Sequence, residues 1–180
     1  MFKEAALIRE GKVGVMPTDT LYGIVASAFD HEAIERVYRV KDRMPVKPPI
    51  ILISSIDDLT LFGVTATEPE MKVLSEVWPG PVSVVLSCDD EAFEYLHRGA
   101  RSLAFRLPDK RDLRDFLADS GPLIAPSANL EGHPPATTIE EAKKYFGDRV
   151  DFYIDGGVIE GTASIIIRVG VDGSVETLRK

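Results

Sequence analysis

The stretch Val13-Gly14-Val15-Met16-Pro17-Thr18-Asp19-Thr20-Leu21-Tyr22-Gly23-Ile24-Val25-Ala26-Ser27-Ala28 places two apolar pieces on either side of a short polar one. Val13–Met16 reads as a strand cut off by Pro17, because proline has no N–H to give a ladder. Gly23–Ala28 is small and apolar and reads as a second extended piece. Two strands in direct succession cannot both lie in a purely parallel sheet, whose strands need long crossovers.

Outward from that pair, helices and strands alternate. Phe2–Glu10 reads as a short helix stopped by Gly11. Asp30 is placed to cap a helix with the stripe Ile34, Val37, Tyr38, running towards Lys41. Lys41–Pro49 holds three prolines and reads as a loop. Ile50–Ile53 is a buried-type strand, followed by two helices. The second opens at Thr67-Glu68-Pro69-Glu70, a capping-box spacing with proline in the first turn. Trp78-Pro79-Gly80-Pro81 is a sharp turn.

Val82–Leu86 and Leu103–Leu107 are expected strands, Arg111–Ala118 a helix, and Leu123–Ala125 a further short strand. Ser127–Thr137 is a polar loop. Thr138-Ile139-Glu140-Glu141 has capping-box spacing and opens a helix to about Phe146. Phe152–Ile154, Ser164–Val169 and Val175–Leu178 close the list of strands. The expected class is α/β: one domain over 1–180, with a twisted mixed parallel and antiparallel sheet and helices packed on it.

Composition sets limits. The 180 residues suffice for a real core, and 44% hydrophobic with 28% charged residues is ordinary for a globular chain. No apolar run approaches the roughly 20 residues of a membrane span, and Met1-Phe2-Lys3-Glu4 carries acid too early for an export signal. The single cysteine, Cys88, permits no internal disulfide and suits a reducing compartment, so a cytoplasmic setting is expected. Cys88 follows an apolar run and reads as a packed thiol. His31, His97 and His133 are far apart, and no metal site is indicated. The net charge of −8 opposes a broad nonspecific nucleic-acid surface. It leaves room for a local basic pocket.

Common motifs are missing: no G-x-x-x-x-G-K-[ST] loop, no G-x-G-x-x-G, no G-x-S-x-G elbow. Polar groups that follow or interrupt apolar strands stand out instead. Thr18, Asp19 and Thr20 follow a buried strand; they suit a polar ligand or a tight turn bonded to its own backbone. Lys41, Arg43 and Lys47 sit on the proline-rich loop, which suits phosphate binding or simple solvation. Ser127 and Asn129 are two apart and share a side in an extended stretch, or form a turn. Arg106 interrupts Leu103–Leu107 and faces solvent or a cleft. In a cleft, its charge requires an anionic partner. Together these groups describe how a sheet presents a ligand cleft.

The order of these words resembles the YrdC/TsaC family, the threonylcarbamoyl-AMP synthases. The matching words are Pro17-Thr18-Asp19-Thr20-Leu21-Tyr22-Gly23, Lys41-x-Arg43 with Lys47-Pro48, Trp78-Pro79-Gly80-Pro81, Ala104-Phe105-Arg106-Leu107-Pro108, and Ser127-Ala128-Asn129 with Gly132. Ser164 and Leu178-Arg179 continue the match, so the resemblance covers essentially the whole chain.

It implies a YrdC-like fold with a concave basic cavity, and condensation of L-threonine, bicarbonate and ATP to threonylcarbamoyl-AMP and pyrophosphate. Thr20, Arg106, Ser127 and Ser164 would hold threonine and its carbamate. Lys41, Arg43, Lys47, Ser102, Asn129, Thr137 and Arg179 would hold ATP. Lys41 and Arg43 would act in catalysis, with Mg2+ accompanying ATP. The product would pass to proteins that modify tRNA, with a tRNA contact as a further implied partner and no membrane.

Three positions depart from the family pattern. Glu131 and Ile165 stand where serine and threonine are frequent, and Ser102 where threonine is. A glutamate near phosphates is unfavourable unless it turns away or helps hold magnesium, and Ile165 removes one hydroxyl. Two other readings remain: an RNA-binding module using the same cavity without catalysis, and the carbamoyl-adenylate chemistry of hydrogenase-maturation carbamoyltransferases, which sit in longer, metal-rich chains.

Overall fold

The computed structural model describes residues 2–44 and 47–180. Met1, and the Pro45 and Val46 of the expected Lys41–Pro49 loop, lie outside the described residues.

The opening pair forms as expected. β1 (Gly14–Pro17) and β2 (Tyr22–Ser27) run antiparallel, with Val15 opposite Ile24 and Pro17 opposite Tyr22. Pro17 ends its strand, where its missing N–H costs no ladder bond. Thr18 closes the turn between them: its N–H (3.0 Å) and its hydroxyl (2.7 Å) both donate to the Leu21 carbonyl.

Around this pair lie α1 (Lys3–Arg9), α2 (His31–Val40), β3 (Ile50–Leu52), a 3-10 segment (Ile56–Phe62) and α3 (Glu68–Val77). Then come β4 (Val82–Ser87), α4 (Glu94–His97), β5 (Ser102–Arg106), α5 (Arg111–Ser120), β6 (Leu123–Ile124) and α6 (Ile139–Phe146). The chain closes with β7 (Phe152–Tyr153), β8 (Ile165–Val169) and β9 (Val175–Arg179). Asp30 caps α2 by accepting the Ala33 N–H at 2.9 Å. Thr67 and Glu70 exchange both bonds of a capping box at α3.

Two local expectations need correction, and one short helix had no expectation. The first element after β3 is a 3-10 segment, not an α-helix. Helix α4 has only four residues, too few for a 3.6-residue period to show in its polar surroundings. At α6, Thr138 accepts the Glu141 N–H at 3.3 Å, but the Glu141 carboxylate bonds the Thr137 N–H and hydroxyl, so half of the expected box forms.

The nine strands make one mixed sheet, ordered β7-β1-β2-β6-β3-β5-β4-β8-β9. Pairs β1–β7, β3–β5 and β4–β8 are parallel and the others antiparallel. Side-chain alternation gives the sheet two unlike faces. One carries Val15, Ile24, Ile51, Val84, Phe105 and Ile167 and packs against α2, α3 and α6. The other carries Val25, Leu52 and Leu123, covered by Ile8 of α1 and Phe116 of α5. Towards β4, β5 and β8 this second face presents Ser83, Ala104, Arg106 and Ile166. Apart from Ile166 these residues are small, polar or charged, and an open concavity is left beside the α1–α5 cover.

Lys41 ties two parts of the fold together. It follows α2, is 4% exposed, and its ammonium donates to the carbonyls of Ser127 and, at 2.7 Å, Asn129. Burial, and then the nearby Arg43 charge, lower its pKa to about 7 against the opposing pull of Glu131.

Two outcomes follow from this packing. Phe105 is fully buried and meets Phe62 edge-on at 5.2 Å. Phe105→Ala is expected to lose about 3–5 kcal/mol in urea unfolding. The Lys41 effect depends on pH. An unfolded lysine keeps its proton to about pH 10.4, whereas the folded one releases it near 7. Between those values the unfolded chain holds more protons, so stability rises with pH and is lost as pH falls through the folded value. The stability difference between the wild type and Lys41→Met is therefore expected to shift in favour of the wild type from about pH 7 to 10. A flat difference across that window would refute it.

Candidate functional site

The open part of the second face holds a hollow of about 160 Å³. Seven of the residues singled out from the sequence line it: Thr18, Thr20, Arg43, Arg106, Ser127, Ser164 and Arg179. They arrive from the β1–β2 turn, the loop after α2, the end of β5, the loop after β6, the approach to β8 and the end of β9.

Arg106 is 3% exposed. Its guanidinium is buried and donates to the Asp19 carboxylate at 2.9 Å, with both side chains under 10% exposed. Its Nε is buried with no hydrogen-bond partner among the described residues. Burial lowers the Arg106 pKa, Asp19 opposes the shift, and the Arg179 charge adds to it. Arg179 donates to the Ser164 carbonyl at 2.8 and 3.2 Å. The Ser164 hydroxyl lies 2.9 Å from that of Ser83. Arg43 is bound to the carbonyls of Lys47 (3.2 Å) and Pro48 (3.1 Å), with its guanidinium carbon 5.4 Å from the centre of the Tyr38 ring. Three guanidiniums outnumber the nearby carboxylates, Asp19 beside Arg106 and the Lys47-paired Glu131 near Arg43, which suits an anionic ligand.

Hydroxyls complete the wall. Thr18 and Thr20 face each other at 3.2 Å, and Ser127 donates to the Asn129 side-chain oxygen at 2.6 Å. Such groups can switch partners to a bound polar molecule. A strap running from β7 to β8 closes one side. The Tyr22 hydroxyl donates to the Gly157 carbonyl at 2.8 Å and accepts the Gly156 N–H at 2.8 Å. A Cβ added at Gly161 would fall 1.8 Å from the Thr20 carbonyl oxygen, so glycine is required for the strap to pass there.

The remaining residues singled out from the sequence lie outside the lining. Lys41 is turned away onto two main-chain carbonyls. Lys47 is paired with Glu131. Asn129 uses its amide on the carbonyls of Leu130 (2.8 Å) and His133 (2.9 Å). Thr137 is bonded to Glu141. Ser102 shares a face of β5 with Arg106, and its hydroxyl donates to the Ala100 carbonyl at 3.3 Å. A ligand touching both would span about 13 Å, four residues of strand rise.

Glu131 turns away from the hollow. It accepts the Met44 N–H at 2.9 Å and the Lys47 ammonium, which hold its carboxyl below the usual range. Ile165 is 42% exposed at the start of β8. The sequence singled out Asp19 as a ligand or turn residue but not as the partner of Arg106, and it did not single out Gly161. The need of a buried Arg106 for an anion pointed to a carboxylate, and Asp19 stood in the polar word after β1. Nothing local marked Gly161.

The donors here do not fit a resident metal ion. Asp19 is committed to Arg106, and no group of three His, Cys, Asp or Glu side chains among the described residues could hold one. Nor is any helix among the described residues long and apolar enough to cross a membrane.

Comparison with known proteins fits this geometry. The chain is 31% identical over 172 residues to the threonylcarbamoyl-AMP synthase of Pyrococcus abyssi, covering 95% of this chain and 48% of that protein. It is 34% identical over 155 residues to that of Bacillus subtilis, covering 85% and 45%. The chain thus spans about half the length of these relatives. The solved P. abyssi Sua5 complexed with L-threonine superposes with a TM-score of 0.89 at 31% identity, over 98% of this chain and 52% of that one. Escherichia coli YciO superposes at 0.87 with 21% identity, over 99% and 87%, which bears on the fold alone. The family model for Sua5/YciO/YrdC, described as telomere recombination, matches residues 6–180, and the chain belongs to that family.

Proposed function

We propose that this chain is a threonylcarbamoyl-AMP synthase, acting as one domain over 1–180. It condenses L-threonine, bicarbonate and ATP to threonylcarbamoyl-AMP and pyrophosphate. The observation that carries this reading is the buried Arg106, paired to Asp19 and ringed by Thr20, Ser127 and Ser164 in one hollow with Arg43 and Arg179. Support comes from relatives named for that activity and from a relative solved with L-threonine.

Arg106 binds the carboxylate of threonine, or of its carbamate, with the guanidinium capacity that Asp19 leaves free. Thr20, Ser127 and Ser164 orient the rest of the molecule. Bicarbonate takes up a proton and loses water to give carbon dioxide; the threonine amine adds to that carbon dioxide and releases a proton, giving a carbamate. Held away from water, one carbamate oxygen attacks the α-phosphorus of ATP and pyrophosphate leaves. Arg43 and Arg179 stabilise charge on the phosphates. Magnesium enters as the counter-ion of ATP and belongs to the substrate. Lys47, Asn129, Ser102 and Thr137, outside the hollow, would meet the parts of a nucleotide too large for it. The site lacks an obvious protein base, so positioning and charge carry the reaction. The product feeds proteins that transfer threonylcarbamoyl to tRNA in the cytoplasm.

Incubation with ATP, magnesium, bicarbonate and labelled threonine is expected to yield the labelled mixed anhydride and pyrophosphate. Arg106→Ala should lower kcat/KM for threonine about 100-fold, the scale of losing one charged donor in a water-poor site. Arg43→Ala should act chiefly on ATP. No threonine-dependent pyrophosphate from the wild type would sink the proposal. Tight, salt-sensitive tRNA retention without turnover would favour an RNA-binding module instead.

A further inference from the structure

Ser127 reaches the hollow from a loop whose shape is set from behind. The Ala128 N–H donates to the Tyr22 carbonyl at 2.8 Å, and the Ala136 N–H to the Ala128 carbonyl at 2.9 Å. The carbonyls on either side, of Ser127 and Asn129, turn the other way and accept from the Lys41 ammonium. The contact is reciprocal, because the Lys41 carbonyl accepts the Glu131 N–H at 2.9 Å. The stretch is bent rather than extended: the Asn129 N–H also donates to the Ser127 carbonyl at 3.0 Å, and both carbonyls lie within reach of the one ammonium. Holding both carbonyls to one ammonium therefore fixes the peptide planes that follow Ser127 and Asn129, and the first of these constrains the direction of the Ser127 side chain.

Lys41 itself has no access to the hollow. It is 4% exposed and absent from the lining, whereas Arg43, two residues on, is part of that lining. A phosphate reaching the ammonium would have to enter a site that is 4% exposed and outside the lining, and would compete with the Ser127 and Asn129 carbonyls for its three N–H groups.

We propose that Lys41 is a positioning residue for the threonine half of the site, acting through the Ser127–Asn129 backbone, and that it does not touch the triphosphate. This rests on the synthase reading above and reassigns one of its cations. Arg43 and Arg179 remain as the phosphate-facing charges.

Separate titrations of L-threonine and of MgATP against wild type, Lys41→Met and Arg43→Ala test it. Lys41→Met is expected to weaken threonine binding about tenfold, the scale of one lost hydrogen-bonding contact, and to leave MgATP affinity within about twofold. Arg43→Ala should show the converse split. Lys41→Arg keeps charge and donors and serves if the methionine variant does not fold. Its longer, planar head should raise the threonine KM while the ATP KM stays put.

Weakened MgATP binding with intact threonine binding, in either lysine variant, would overturn the proposal and leave the synthase reading standing. So would a Lys41→Arg enzyme with an unchanged threonine KM. If the wild type binds neither ligand, both fall together.

Discussion

The pairing of Arg106 with Asp19 is the constraint from which the site follows. An arginine on the inward face of a central strand cannot shed its proton and cannot stay buried alone. The nearest solution in the chain is a carboxylate delivered by the β1–β2 turn, and Thr18 holds that turn in shape by bonding the Leu21 carbonyl twice. One carboxylate oxygen at 2.9 Å does not exhaust a guanidinium with five donors. The orphaned Nε and the nearby charge of Arg179 leave the centre short of negative charge. The folded protein thus carries a standing preference for a small anion at the end of β5.

That preference has effect because the sheet is unevenly covered. On the face of Val84, Phe105 and Ile167, large apolar side chains take the weight of α2, α3 and α6, and burial there supplies most of the stability. On the opposite face, α1 and α5 cover the region around Leu52 and Leu123. They stop short of Ser83, Ala104 and Arg106, where small and polar side chains offer a helix nothing to bury. The same alternation that builds the core on one side leaves the hollow on the other.

Much of this was legible in the sequence, and the exceptions share a cause. Periodicity and capping residues located α2, α3 and α6, and the uninterrupted pair β1–β2 announced a mixed sheet. The polar words after strands converged: Thr20, Arg43, Arg106, Ser127, Ser164 and Arg179 share the hollow. What stayed hidden depends on contacts between distant residues. Asp19 meets Arg106 across 87 positions, and Lys41 meets Ser127 across 86. Gly161 matters only because the Thr20 backbone passes beside it. A lysine in a basic loop looks the same in sequence whether it faces a ligand or two carbonyls. Only the packing of α2 against the loop after β6 decides.

The site divides its tasks between rigid and looped elements. Arg106 ends a strand in the middle of the sheet, and Ser164 and Arg179 flank the β8–β9 pair, so the sheet sets their spacing. Thr20, Ser127 and Arg43 stand on connections, each braced from outside the hollow: Thr20 by the strap that passes at Gly161, Ser127 by Lys41, and Arg43 by the carbonyls of Lys47 and Pro48. Bracing matters because a labile carbamate must meet a phosphorus within a few tenths of an ångström of productive geometry, and a loop left to itself cannot hold that tolerance. A fold without a standard phosphate loop can therefore still order a nucleotide beside an amino acid. It does so by borrowing precision from the sheet for one ligand and from buried side-chain braces for the loops that complete the pocket.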